Sequence, residues 1–451
     1  MPETSFRPVP GPRGLPLLGN LPAFGRDPLA FLECLRDDFG DVVTWSLGPR
    51  RSLFLSHPEH IGELLGADEH RFGTLDVSWA FRQLVGDSVL RSQGADWRRK
   101  RSLVQPAVRP RQVRGYATIM VDSATALADR WQDGDRIDVL REMSLLTQRV
   151  VVRSLFGNET GSRARTLSTA MSAAGREIHA ELRGCGLLVP SFVRTPARRR
   201  MLAAVATIDA EIDRLVQARV RRTPGPAGDH DDLLDRLLAA RDDRGRALTP
   251  REVRDEAVTL WGAGHETTAT ALAWSWYLLA TSEDARARLA AELGGLLAGR
   301  PPTIADYERL TWTGQIVKES LRLYPPAWVT PPRVAHAGAT LGGRPVRPGT
   351  AVWCSPWATH RDPRWFPDPS VFRPERWDPD ETAALPPYAW FPFGGGPRGC
   401  LGARFALVQL TLVLATLAQR FHVDVDPGGT APRAGLQLQP SGPLHATLRA
   451  H

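Results

Sequence analysis

The chain has 451 residues, with 57 lysines and arginines against 49 aspartates and glutamates, a formal net charge of +8. Basic residues are interspersed with acids, which argues against a protein that coats nucleic acid. Hydrophobic residues at 42% and charged residues at 24% are ordinary for a globular chain and exclude wholesale disorder.

Residues 1–26 are rich in Pro and Gly and read as an extended arm. They lack a basic stretch followed by an apolar one, so they are not a signal peptide. Val42 to Leu47 and Ser52 to Ser56 flank Gly48-Pro49 and predict a hairpin. From Pro58 to Leu297 the pattern is mainly helical, broken near Gly73, Gly94, Pro106–Pro110, Gly157–Gly161, Pro190–Pro196 and Thr223–Gly228. Thr249-Pro250-Arg251-Glu252 is the clearest helix start: Thr249 can cap, Pro250 suits the first turn, and Glu252 completes a capping box. This helix can run to about Thr281, roughly 48 Å at about 1.5 Å per residue. It is apolar on most faces from Ala257 to Leu279, so it should cross the interior. Ser282 caps a helix ending near Gly299, and a third, from about Tyr307 to Leu323, stops at Pro325-Pro326. Pro331 to Pro392 is rich in Pro, Gly, Trp and Arg, with short strands such as Thr350 to Trp353. A last long helix begins after Gly402 and ends near Arg420. The tail beyond it is irregular. With no linker and no repeat, residues 1–451 read as one mainly α domain with a small β-rich region. The most apolar stretch, Ala406 to Ala418, is too short and mixed to span a bilayer. Four scattered cysteines (Cys34, Cys185, Cys354 and Cys400) form neither a disulfide framework nor a Cys-x-x-Cys site. Their pattern suits a reducing cytosol, hence a cytoplasmic protein.

The segment Phe393-Gly-Gly-Gly-Pro-Arg-Gly-Cys400-Leu-Gly402 sets one cysteine behind a glycine-rich loop and ahead of a helix. The glycines let the backbone approach a flat ligand closely, and the positive end of the helix favours a thiolate. A lone thiolate in a partly apolar pocket suits haem iron. Ala263-Gly-His-Glu-Thr-Thr268 lies mid-way along the long helix, where a glycine followed by threonines weakens the hydrogen-bond ladder. Glu319 and Arg322, three residues apart, share one helix face, as do Trp97 and Arg101.

On these residues the chain resembles the cytochrome P450 family of haem-thiolate monooxygenases. Phe393, Gly396, Arg398, Cys400 and Gly402 match its cysteine signature. Glu319 and Arg322, with Arg376 of Pro374-Glu-Arg376, match its structural triad. The resemblance implies the cytochrome P450 fold and haem b (iron protoporphyrin IX) between the long helix and the Cys400 loop, with Cys400 as the iron ligand. It implies Trp97, Arg101, Arg333 and Arg398 as partners of the haem propionates. Glu266 would relay protons from solvent, and Thr267 would hold the hydrogen-bond network that delivers them. His265 departs from the small or apolar residue more common in its place. By analogy the substrate pocket draws on the segments 74–90, 171–188, 258–267 and 327–330, including Trp79, Phe81, Trp261, Ala263, Trp328 and Val329. Their size favours a hydrophobic substrate.

The reaction implied is dioxygen activation with two electrons and oxidation of a hydrophobic small molecule, in bacterial secondary metabolism. No reductase sequence is fused to the chain, so a ferredoxin or flavodoxin with its reductase should deliver the electrons. Arg98, Arg99 and Lys100 are expected to face solvent and steer that donor by charge. Neither a membrane anchor nor a nucleic-acid partner is expected, and the protein should be a monomer. Oxidative ring closure or coupling without oxygen insertion is the nearest alternative. A peroxide-driven haem enzyme and a non-enzymatic haem-thiolate sensor are further ones. The Glu266-Thr267 pair disfavours both, because a sensor needs no proton relay and peroxide needs no dioxygen chemistry.

Overall fold

The computed structural model describes residues 9–75, 78–157, 164–183, 189–190, 192–221, 232–426 and 430–451. They fall into two compact units, one formed by the chain up to Leu75 together with Leu321–Cys400, the other by Asp76–Ser320 and Leu401–His451.

The first unit is built on a five-stranded sheet. Its strands run in the order Val42–Leu47, Arg50–Leu55, Ala351–Cys354, Arg333–Ala335, Phe72–Thr74. The first two form the expected antiparallel hairpin, with Val42 opposite Leu55 and Leu47 opposite Arg50. Its turn needs the positive φ of Gly48, +59°. Arg50–Leu55 then pairs in parallel with Ala351–Cys354. Along the first strand Val43 and Trp45 are buried while Thr44 is exposed, the alternation of a sheet with one covered face. Residues 1–8 of the anticipated arm lie outside the described residues, and the extended reading fails at its other end. Leu21–Arg26 is a short helix with Pro22 in its first turn. The helix sets the Phe24 ring 5.4 Å from that of Trp45. Burying an aromatic face there outweighs the Pro and Gly content around it.

The second unit holds most of the helices. Its axis is the long helix Pro250–Ala280, one residue shorter than the pattern suggested. The capping box is present: the Glu252 amide donates to Thr249 Oγ1 at 3.2 Å, and the Thr249 amide to Glu252 Oε2 at 2.8 Å. Trp261, Trp274 and Trp276 are fully buried along it, as a helix apolar on most faces requires. The helix Val139–Phe156 packs beside it, with Val151 against Gly264. The tail is fastened to it where the Trp274 indole donates to the Leu438 carbonyl at 2.8 Å. A three-stranded sheet, Arg136–Asp138, His445–Ala450, Phe421–Val425, completes the unit. Among the described residues no helix is long and apolar enough to cross a membrane.

The third expected helix starts at Thr311, four residues later than Tyr307. Its first turn is capped from another helix. The Glu292 carboxylate accepts from the amides of Trp312 at 2.6 Å and Thr313 at 2.9 Å, and from the Thr313 hydroxyl at 2.6 Å. Residues before Thr311 fold instead around Asp306, which takes the Arg300 guanidinium and the Thr303 amide. A cap reached across sequence leaves no local signature, so the period alone set the start too early. Because this helix carries Glu319 and Arg322, its cap matters to the site. Glu292→Ala is expected to lower unfolding stability by about 1–2 kcal/mol, read from the midpoint of urea denaturation at unchanged slope.

Candidate active site

The cysteine loop belongs to the first unit, and backbone hydrogen bonds fix its shape. The Gly394 amide donates to the Phe391 carbonyl, and the Cys400 amide to that of Phe393, both at 2.9 Å. Gly396 has φ +63° and passes so close to the Leu65 carbonyl that a Cβ would collide with it. Gly395 is hemmed in likewise by the Tyr388 ring. The outcome is an exposed Cys400 thiol at the loop's end. The helix Ala403–Ala418 follows, with Gly402 at its start.

The loop is tied to the predicted triad through His360, a residue the sequence reading missed. Glu319, Arg322 and Arg376 are all buried. Arg322 donates to the carbonyls of His360 at 2.8 Å, Pro369 at 2.6 Å and Val371 at 3.1 Å. Arg376 shares the Val371 carbonyl at 3.4 Å and reaches that of Pro367 at 3.2 Å. His360 Nε2 accepts the Phe391 amide at 2.9 Å, so its proton sits on Nδ1. Burial, then the charges of Arg322 and Arg361, hold its pKa well below the usual imidazole value. A permanently neutral histidine thus passes the rigidity of the triad arginine to the loop that presents the thiol.

Two arginines of this unit stand where an anion is wanted. Arg333 is buried on its strand, and no hydrogen bond or ion pair reaches its side chain among the described residues. Desolvation, followed by the charge of Arg398, depresses its pKa. Arg398 is half-buried and pairs with Glu69, Nε lying 2.6 Å from the carboxylate. Glu69 was not foreseen.

In the second unit Ala263, Glu266 and Thr267 lie where the long helix is least buried. Thr267 Oγ1 donates to the Ala263 carbonyl at 2.6 Å, and Thr268 Oγ1 to that of Gly264 at 3.0 Å, the back-bonding expected of the threonines, while the helix itself runs on unbroken. His265 is buried and points away, its Nδ1 donating to the Trp261 carbonyl at 3.1 Å. Trp97 is buried on the helix Gly94–Val104, with the Arg101 guanidinium 5.8 Å from its ring centre.

The expected basic patch is corrected. Arg98 is exposed, but Lys100 is buried, with Nζ 2.6 Å from Asp96, and Arg99 is engaged by Glu252 at the start of the long helix. Arg99 and Lys100 turn towards Glu252 on another helix, which a single-helix argument could not show. Of the pocket candidates, Phe81 and Val329 are half-buried and Trp261 is core. Trp328 is buried next to Phe24. Trp79 lines a cavity of about 110 Å³ with Glu181 and Arg198. Residues 184–188 of the expected pocket segment lie outside the described residues.

The motif residues thus lie in two compact units, and comparison with known proteins decides the family. A cytochrome P450 family model matches residues 9–442. The chain belongs to the cytochrome P450 family. It is 36% identical to cyclooctatin synthase of Streptomyces melanosporofaciens, over 97% of this chain and 95% of that one. It is 36% identical to cyclooctat-9-en-7-ol 5-monooxygenase of the same organism, over 98% and 95%. Pentalenene oxygenase of Streptomyces avermitilis is 32% identical over 95% and 94%. A solved cyanobacterial cytochrome P450 with retinoic acid bound superposes with a TM-score of 0.87 at 26% identity, covering 99% of this chain and all of that one. The protein is therefore a monooxygenase of the haem-thiolate type, with the mainly helical fold of its family.

The residues fit that cofactor. A cytochrome P450 haem brings an iron that takes one thiolate and two carboxylates that take cations. Here the exposed Cys400 thiol offers the first, and the buried, unpaired guanidinium of Arg333 offers a site for the second.

Glu256 lies nearly three turns before Glu266 on the long helix and is fully buried. The Val89 amide donates to its Oε1 at 2.7 Å, while Oε2 has no hydrogen bond among the described residues. Burial pushes its pKa up to about 8, and the Val89 amide and Lys100 oppose the rise. A carboxyl that ionises near 4.5 unfolded and near 8 folded favours the folded state fully below pH 4.5 and loses that contribution as pH climbs through 8. Glu256→Gln should therefore be the more stable form at pH 9, with the difference shrinking towards pH 5, in paired denaturant titrations.

Proposed function

We propose that the two units work as one catalytic domain that oxidises a cyclic hydrocarbon skeleton of bacterial secondary metabolism. The observation that carries the reading is the Glu266-Thr267 pair on the least buried stretch of the long helix. Thr267 Oγ1 bonds back to the Ala263 carbonyl there, which leaves its oxygen lone pairs available to water. Pentalenene and cyclooctat-9-en-7-ol, which two of the relatives are named for, are a cyclic alkene and a cyclic alkenol, so a compact apolar terpenoid is the substrate class for this chain. Trp79 and Phe81 on the helix Trp79–Val85 suit such a skeleton.

Cys400 would ligate haem b, and Arg333, Arg398, Arg101 and Trp97 would hold its propionates. The bound haem supplies reductive dioxygen activation and oxygen insertion. The protein's part is to present the Cys400 sulfur ahead of the helix Ala403–Ala418, whose positive end suits a thiolate ligand, and to deliver protons one at a time. Glu266 takes each proton from solvent, and Thr267 orders the hydroxyl and water that receive it. Electrons come from a separate redox partner, a ferredoxin or flavodoxin with its reductase, in a cytoplasmic, monomeric enzyme. With Lys100 buried, Arg98 is the exposed cation of its helix turn that would meet an acidic donor.

Cys400→Ala should abolish the strongly red-shifted Soret band of the carbon monoxide complex that marks thiolate ligation, in a difference spectrum of the reduced protein. Persistence of the band would place the ligand elsewhere. Thr267→Ala should keep haem and substrate binding, because among the described residues its hydroxyl bonds only within its own helix. Product per electron should fall and peroxide release rise by about tenfold. Unchanged coupling would assign proton delivery to another group.

A further inference from the structure

One carboxylate oxygen of Glu266 is held from the far end of the chain. Gln437 is buried just before the short strand Leu438–Pro440, and its Nε2 donates to Glu266 Oε2 at 3.1 Å. A carboxylate only accepts, so it takes the N–H end of that amide. Thr270 Oγ1, one turn beyond Glu266, donates to Gln437 Oε1 at 3.2 Å, leaving Nε2 for the carboxylate. The backbone around Gln437 is itself anchored, since the Leu438 carbonyl takes the Trp274 indole proton. Three points on the long helix, Glu266, Thr270 and Trp274, therefore meet two consecutive residues of the tail.

The other oxygen, Oε1, is differently placed. It faces His265 Nε2 at 3.9 Å, beyond hydrogen-bond reach. The Nδ1 proton of His265 is committed to the Trp261 carbonyl, so the imidazole cannot turn to donate without breaking that bond. The helix bearing Gly175 passes close to Oε1, and a Cβ at that position would lie 3.5 Å from it. Glu266 thus has one oxygen clamped by a neutral amide and one left to exchange.

From this we infer that Gln437 is a positioning residue for oxygen activation: its side-chain amide fixes the rotamer of Glu266 and leaves Oε1 to carry the proton. The inference rests on the reading of Glu266 as the relay. A neutral donor suits the task. A lysine or arginine in the same place would hold the carboxylate ionised and oppose its protonation during each cycle. Gln437 exchanges no proton itself, and Thr270 acts only through it.

The test is a double-mutant cycle in the haem-loaded, full-length enzyme. Gln437→Met keeps the volume and removes both amide contacts. It should leave the substrate-induced spin shift and the first reduction rate unchanged. Product per electron should fall about three- to tenfold, and the solvent isotope effect on turnover should rise. In a Glu266→Gln background the same change should cost nothing further, because the residues act as one unit. Thermal midpoints of the four proteins give a readout free of turnover and should be non-additive in the same sense. Thr270→Val, which keeps Gln437 but frees its amide to flip, should lose part of the coupling. Equal coupling losses from Gln437→Met with and without Glu266, together with additive midpoints, would overturn the inference and leave the role of Glu266 standing. Wild-type coupling in Glu266→Gln alone would instead overturn the relay reading on which the inference rests.

Discussion

At Gly396 the chain meets the Leu65 carbonyl so closely that any side chain would collide with it, in a backbone conformation that L residues rarely adopt. This contact sets the path of the loop from Phe393 to Cys400, and the loop decides where the thiol emerges. A reactive sulfur cannot be placed by its own side chain, which has a single rotatable bond to the backbone. It is placed by the amides and carbonyls around it, here the Cys400 amide on Phe393 and the Gly394 amide on Phe391. The cost of fixing the eight residues Phe393–Cys400 in one conformation is offset by hydrogen bonds of buried groups nearby. Arg322 spends its guanidinium on three carbonyls, and His360 passes that rigidity to Phe391.

In the second unit the proposed proton carrier, Glu266, must be held and yet remain exchangeable. The long helix is unbroken there, with Thr267 and Thr268 each bonded back onto carbonyls one turn earlier. Glu266 sits beside them, half-exposed, with Gln437 on one oxygen. Elsewhere along the same helix polar groups are locked. Arg254 bonds Asp209, Asp255 and the Leu84 carbonyl, and Glu256 takes the Val89 amide. Along one helix, buried and paired polar groups near the start give way to the less buried stretch to which the proposed reading assigns proton transfer.

What could be read from sequence follows the same division. The Cys400 motif, the capping box of the long helix and the Glu266-Thr267 pair are written in short spans, whereas the triad residues were legible only through the family resemblance, since the carbonyls that hold Arg322 lie 38, 47 and 49 positions away. The late start of the helix at Thr311 was not legible, since its cap is the distant Glu292. The burial of Lys100 was not legible, since Asp96 shares its helix but Glu252 and the Asp87 carbonyl come from elsewhere. His360 and Gln437 escaped for the same reason: each is an unremarkable residue whose partner lies 31 and 171 positions away. The short helix at Leu21–Arg26 was hidden by the Pro and Gly around it, and only the packing of Phe24 on Trp45 reveals it.

The central claim is that the Gly396-shaped loop delivers the Cys400 sulfur to haem iron. X-ray absorption at the iron edge tests it most directly, on a variant in which Cys34, Cys185 and Cys354 are replaced by alanine so that Cys400 is the one remaining cysteine of the four. The account predicts a single sulfur scatterer in the first coordination shell of the ferric protein. A shell of nitrogen and oxygen alone, with haem fully loaded, would contradict it.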